Sequence, residues 1–278
     1  MRKIILLLTL SLSVLSQPMA EITHRFQGEM DRPTDIAVLN DGRICVADGV
    51  NNQVLVFKRD GSYVTLTFPQ MKRPLGLAAD FNGGLLITDT QADAIFILDK
   101  YLTLKIHIPL SQEVDATDVL AMDQEVLWVV DNDGHQIIVM DRQGHIKQRL
   151  GSKGSTGPAF NYPSTIAGNS NNQIFICDVL NGRIQLYDSE GIYRGQIADW
   201  GITPGSLFRP KGVAANQSGA FVVTDSFTGT IHYFRTQSSV GSVLPLKFKN
   251  PLGVAWDNEG ILWVVESGTG NILGIKVQ

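Results

Sequence analysis

Six times along this chain a short apolar run closes on an acid: Asp48 after RICVA, Asp89 after LLIT, Asp131 after LWVV, Asp178 after IFIC, Asp225 after FVVT and Glu266 after LWVV. The acids are spaced 41, 42, 47, 47 and 41 residues apart. Fifteen places before each stands Pro33, Pro74, Pro163, Pro210 or Pro251, with Ala116 at that place in the third unit. A repeat of this length cannot bury its apolar face alone, so neighbouring units must stack.

Each unit divides into four short strands. In the second they are expected at residues 75–80, 85–89, 94–100 and 103–109, with Asn82-Gly83-Gly84 as the first turn. Asp60-Gly61, Gln143-Gly144 and Glu190-Gly191 mark the third turn elsewhere, and such dipeptides are hairpin signals. The reading is an all-β chain, a six-bladed β-propeller of four-stranded antiparallel blades. The blades fall near 31–70, 71–112, 113–151, 152–199, 200–247 and 248–278. The sixth unit stops after its third strand, while residues 21–28 (EITHRFQG) precede blade one without a partner there. The ring is therefore expected to be closed by the N-terminal strand, which also removes two sheet edges.

The first twenty residues read as a signal peptide. Arg2-Lys3 precedes an apolar run at 4–15 and a short tail ending in Ala20, and the run is too short to span a bilayer. Cleavage after Ala20 predicts a periplasmic or secreted protein with no stable membrane anchor. No cysteine follows the run, which disfavours a lipid anchor. Without residues 1–20 the chain carries 21 Lys and Arg against 27 Asp and Glu, a net charge of −6. Charge of that sign, with no basic run, argues against a nucleic-acid partner. Cys45 and Cys177 fall in the second strands of opposed blades, too far apart for the roughly 7 Å between Cα atoms that a disulfide allows. Both are expected to be free and buried.

Residues 160–191 (FNYPSTIAGNSNNQIFICDVLNGRIQLYDSEG) and 208–234 place an aromatic, Pro, a short apolar strand, a turn, an apolar strand ending in Asp, and then an Asn- or Gly-bearing turn. This pattern resembles the NHL-repeat propellers, and the resemblance covers residues 21–278. It implies the fold; it does not imply an activity, because such scaffolds host unrelated functions.

The six aligned acids suit a structural task in every blade, since a short acid at a strand end can accept backbone N–H bonds from the adjoining turn. The loop before each first strand and the turn after each second strand share one face, the top. Asp35, Asp118 and Lys211 are expected there, at the mouth of the central channel. The two long loops, residues 151–162 and 200–209, bring Lys153, Tyr162, Trp200 and Arg209 to one side of that face. Phe160 and Phe208 are expected to plug the grooves between blades. The five histidines are scattered, Asp131-Asn132-Asp133-Gly134 lacks the later ligands of a calcium loop, and there is no Gly-x-Ser-x-Gly elbow. The expectation is a non-enzymatic scaffold that binds a protein, peptide or glycan through its top face, with no catalytic residue and no cofactor assigned. The alternative is a hydrolase or lyase using a divalent cation on Asp35 and Asp118 at the channel mouth.

Overall fold

A computed structural model describes residues 18–203, 205–237 and 240–278. Most of the expected signal segment, residues 1–17, lies outside the described residues. The chain opens with β1 (Ala20–Gln27). Blade one is β2 (Ile36–Val38), β3 (Ile44–Asp48), β4 (Gln53–Phe57) and β5 (Tyr63–Leu66); blade two is β6 (Pro74–Ala79), β7 (Leu85–Asp89), β8 (Ala94–Leu98) and β9 (Leu104–Pro109). Blade three is β10 (Ala116–Ala121), β11 (Val126–Asp131), β12 (Gln136–Asp141) and β13 (Ile146–Leu150); blade four is β14 (Pro163–Gly168), β15 (Gln173–Asp178), β16 (Arg183–Asp188) and β17 (Tyr193–Ile197). Blade five is β18 (Pro210–Ala215), β19 (Phe221–Asp225), β20 (Thr230–Phe234) and the two-residue β21 (Ser242–Val243). Blade six is β22 (Pro251–Trp256), β23 (Ile261–Glu266) and β24 (Asn271–Val277), completed by β1.

All six sheets are four-stranded, antiparallel and in simple meander order, with β1 outermost in the last. The ring therefore closes through the N-terminal strand. The pairing runs from Ala20 opposite Val277 to Gln27 opposite Asn271. It starts one residue earlier than the sequence suggested.

The core is not one mass but six layers, each wedged between adjacent blades. Cys45, Val54 and Leu85 pack between blades one and two, and Phe175, Leu207 and Phe221 between four and five. The sixth layer joins Trp263 and Ile272 of blade six to Ile44 and Phe57 of blade one, with Phe26 of β1 between them. Phe26 lies 5.2 Å from the Trp263 ring and 5.8 Å from that of Phe57. Alternating inward residues on strands buried on both faces account for these layers. Cys45 and Cys177 are free and buried. Burial pushes each thiol up to about 12, so neither is a reactive thiolate.

The repeated acids are fully or nearly buried, and each ties a blade's leading loop to its own second turn. Asp89 accepts from the N–H groups of Lys72 and Arg73 on one side and of Gln91 and Ala92 on the other. Asp225 repeats this with Phe208, Arg209, Phe227 and Thr228. Asp178 takes Asn161 N–H together with the Asn181, Arg183 and Gln185 side chains. These carboxylates hold the top loops in place.

Candidate functional site on the top face

The two long top loops are built alike. Lys153 bridges to Phe160 in one, and Trp200 to Leu207 in the other. Phe160 N–H donates to Ser152 O, and Leu207 N–H to Asp199 O. Phe160 and Leu207 are fully buried in the interblade layers. The plug in the second loop is thus Leu207 and not Phe208. Both plugs stand three places before the blade's leading proline, as do the buried Met71 and Phe248.

Phe208, freed from the groove, is half-buried at the surface. Its ring lies 5.1 Å from that of Trp200 and 4.2 Å from that of Phe227. Trp200 is 61% exposed and Phe227 65%. Phe227 sits on the turn after Asp225, and the backbone bonds that Asp225 accepts fix both Phe208 and Phe227. Trp200 lies against Gly182, whose left-handed φ of 62° and close approach leave no room for a side chain; a Cβ there would meet Leu207 O at 2.6 Å. Leu180 and Ile202 add exposed apolar surface on the same two blades. Arg209, next to Phe208 in sequence, and Lys153, in the other long loop, are exposed, and neither forms an ion pair among the described residues. Tyr162 stands apart from the three rings. It packs edge-on against His135 at 4.5 Å, and its N–H donates to His135 Nδ1.

Asp35 lines the top of the channel and Asp118 is buried on the first strand of blade three, each at a blade junction. Leu77 N–H of blade two donates to Asp35 Oδ2, and Ile166 N–H of blade four donates to Asp118 Oδ2. Val119 N–H donates to Asp118 Oδ1. At least three of the four carboxylate oxygens are thus already engaged by backbone. Each acid fits beside a glycine of the preceding blade: Gly253 for Asp35 and Gly76 for Asp118. Burial is the chief cause that raises both carboxyls, Asp35 to about 6 and Asp118 well above the usual range, where the charge of Asp35 adds to it. Lys211 lines the channel mouth with Asp35, and burial pushes its ammonium below the usual value. Among the described residues no three His, Cys, Asp or Glu side chains cluster as metal ligands would.

Sequence reasoning singled out Trp200 and Arg209 but missed Phe227, Leu180 and Ile202. Phe227 follows the blade-five acid by two places, a position that every blade exposes at the top.

Residues 30–57, the start of blade one, match the NHL repeat family. The protein Brain tumor of Drosophila melanogaster is 32% identical over 124 residues, 42% of this chain. That stretch is 12% of the curated relative's length. Among solved structures, virginiamycin B lyase from Staphylococcus aureus superposes with a TM-score of 0.70 at 16% identity, over 94% of this chain and 99% of the other. A streptogramin B lyase gives 0.69 at 14% identity, over 94% and 98%. At those identities the likeness is one of fold. The blades, their closure and the leading-loop clamps define a six-bladed β-propeller. The NHL repeat match falls in blade one of that ring.

Proposed function

We propose that this propeller is a non-enzymatic scaffold that binds a protein partner through the top of blades four and five. The observation that carries this reading is the exposed ladder of Trp200, Phe208 and Phe227, held rigid from beneath by Asp225 and Gly182. Aromatic and arginine side chains presented on a fixed backbone are the usual anchors of protein interfaces. Arg209 and Lys153 supply the charged rim, and a peptide or glycan stacking on the rings would use the same groups. Export by the amino-terminal segment would place the scaffold in the periplasm or outside the cell. Among the described residues no helix is long and apolar enough to cross a membrane.

The test is capture of an exported partner by the purified protein, compared with a Trp200→Ala/Phe227→Ala variant. Losing two anchors is expected to weaken capture thirtyfold or more, about 2 kcal/mol. Tyr101→Ala, which removes an equally exposed ring from a bottom turn, should leave capture unchanged. The same partner retained at full strength by the double variant would overturn the reading.

A further inference from the structure

The top of the channel widens into a cavity of about 430 Å3 on the axis of the ring, lined by residues of all six blades, Thr34, Leu75, Thr117, Ser164, Lys211 and Leu252 among them. Most of its polar groups are already spent on the scaffold. Thr34 Oγ1 donates to Leu75 O at 2.8 Å, and Thr117 Oγ1 to Ser164 O at 2.9 Å. Ser164 Oγ and Thr165 Oγ1 both donate to Lys211 O, and Asn132 Nδ2 donates to Pro163 O. These bonds run from one blade to the next and make the wall rigid.

Three donors in the wall have no such partner. The Lys211 ammonium, the Ser226 hydroxyl and the Asn250 amide make no side-chain hydrogen bond or ion pair with any described residue. All three come from one side of the ring: Lys211 from the first strand of blade five, Ser226 from its top turn and Asn250 from the loop leading into blade six. A half-buried ammonium without a counter-charge is costly, and burial already depresses its proton affinity. Asp35 of blade one, the neighbour of blade six around the ring, faces the same space, with Oδ2 occupied by Leu77 N–H.

We propose that this axial cavity is a binding site for a carboxylate, held by Lys211, Ser226 and Asn250. One ammonium balances one negative charge, while the hydroxyl and the amide can donate to the remaining lone pairs in the charge-assisted bonds that carboxylates favour. A phosphate dianion would bring a second charge toward Asp35 with no second cation to meet it. The carboxylate has two possible sources, a free small acid or the terminus of a peptide chain.

The experiment follows the Asn250 side-chain amide resonances of the isotope-labelled full chain, which both variants below retain, during titration with sodium acetate, N-acetyl-leucine and N-acetyl-leucine amide, at ionic strength held constant with chloride. A saturable shift with the acids and none with the amide is expected. Acetate and N-acetyl-leucine binding alike would identify a small-acid site; binding of N-acetyl-leucine alone would identify a chain terminus. Lys211→Met and Ser226→Ala should each weaken binding about tenfold or more. Both leave the Lys211 carbonyl that anchors Ser164 and Thr165 in place. No saturable shift, or the same affinity in both variants, would overturn the proposal. Trp200→Ala should leave this titration unchanged, so its outcome is separate from that of partner capture.

Discussion

Arg142 grips Asp80 across the junction of blades two and three through two side-by-side hydrogen bonds of 2.5 and 3.0 Å, with both side chains buried. The pair joins the first turn of blade two to the third turn of blade three, on the face opposite the aromatic ladder. Removing one member leaves the other charge buried and alone, which costs about 3–5 kcal/mol. Asp80→Ala should therefore lower the unfolding free energy by that amount, as read by chemical denaturation. Replacing both by apolar residues of similar size should recover much of the loss.

Gly76 and Gly253, like Gly212, stand where the inner strands of neighbouring blades approach closely. A Cβ on Gly76 would stand 2.4 Å from Thr117 O, and one on Gly253 would stand 2.5 Å from the Asp35 Cα, both contacts with backbone that cannot swing aside. Gly76→Ala and Gly253→Ala should each cost about 1–3 kcal/mol in thermal or chemical unfolding.

The buried carboxyls of Asp35 and Asp118 give the stability a pH dependence of definite sign. Asp35 titrates in the folded protein at about 6 and in the ordinary range, 3.8, when unfolded. Across that interval the native state holds protons that the unfolded chain has released. Stability contributed by this group therefore falls as pH rises from the ordinary value through about 6, and Asp118 extends the fall further upward. Asp35→Asn keeps an oxygen for Leu77 N–H and removes the like charge. It should lower the Asp118 midpoint in a carbon-detected titration and flatten the stability profile.

Loss of β1 should be far worse than ordinary trimming of a terminus. A chain beginning at Glu29 loses Phe26 from between Trp263 and Phe57 and leaves β24 as an exposed edge. Phe26→Ala alone should cost about 3–5 kcal/mol. The shortened chain should also associate through the bared edge, visible by light scattering. A monomer melting within a degree or two of the intact protein would contradict this.

The fold was legible because two landmarks recur, a closing acid in every blade and a leading proline in all but the third, and a period of two within strands fixes which side faces a neighbour. The free, buried cysteines follow from the same count. The site was harder to read. The buried plug lies three places before the leading proline, so counting from Pro210 selects Leu207 and releases Phe208 to the surface. Phe227 was hidden in a turn that looks like any hairpin connection. Whether a turn residue points to solvent or inward depends on the bonds that the neighbouring acid makes, and those span loops far apart in sequence. Asp35 and Asp118 were placed at the channel, but their bonds to Leu77 and Ile166 belong to the next blade and require the closed ring.

The way β1 lies on β24 determines how the ring responds to force. The strands are antiparallel, and the outermost rung, Met19 opposite Gln278 with an N–H donated to a carbonyl oxygen in each direction, sits where both ends of the described chain leave the blade. A pull applied to the two ends would load that rung first, then Ile22 with Ile275, and so on inward to Gln27 with Asn271. The bonds would break singly, as in unzipping, rather than together, as in shear. Blade six is thus the seam at which tension opens the circle, and the stacked rings of Phe26, Trp263 and Phe57 are the last catch before the remaining blades come under strain.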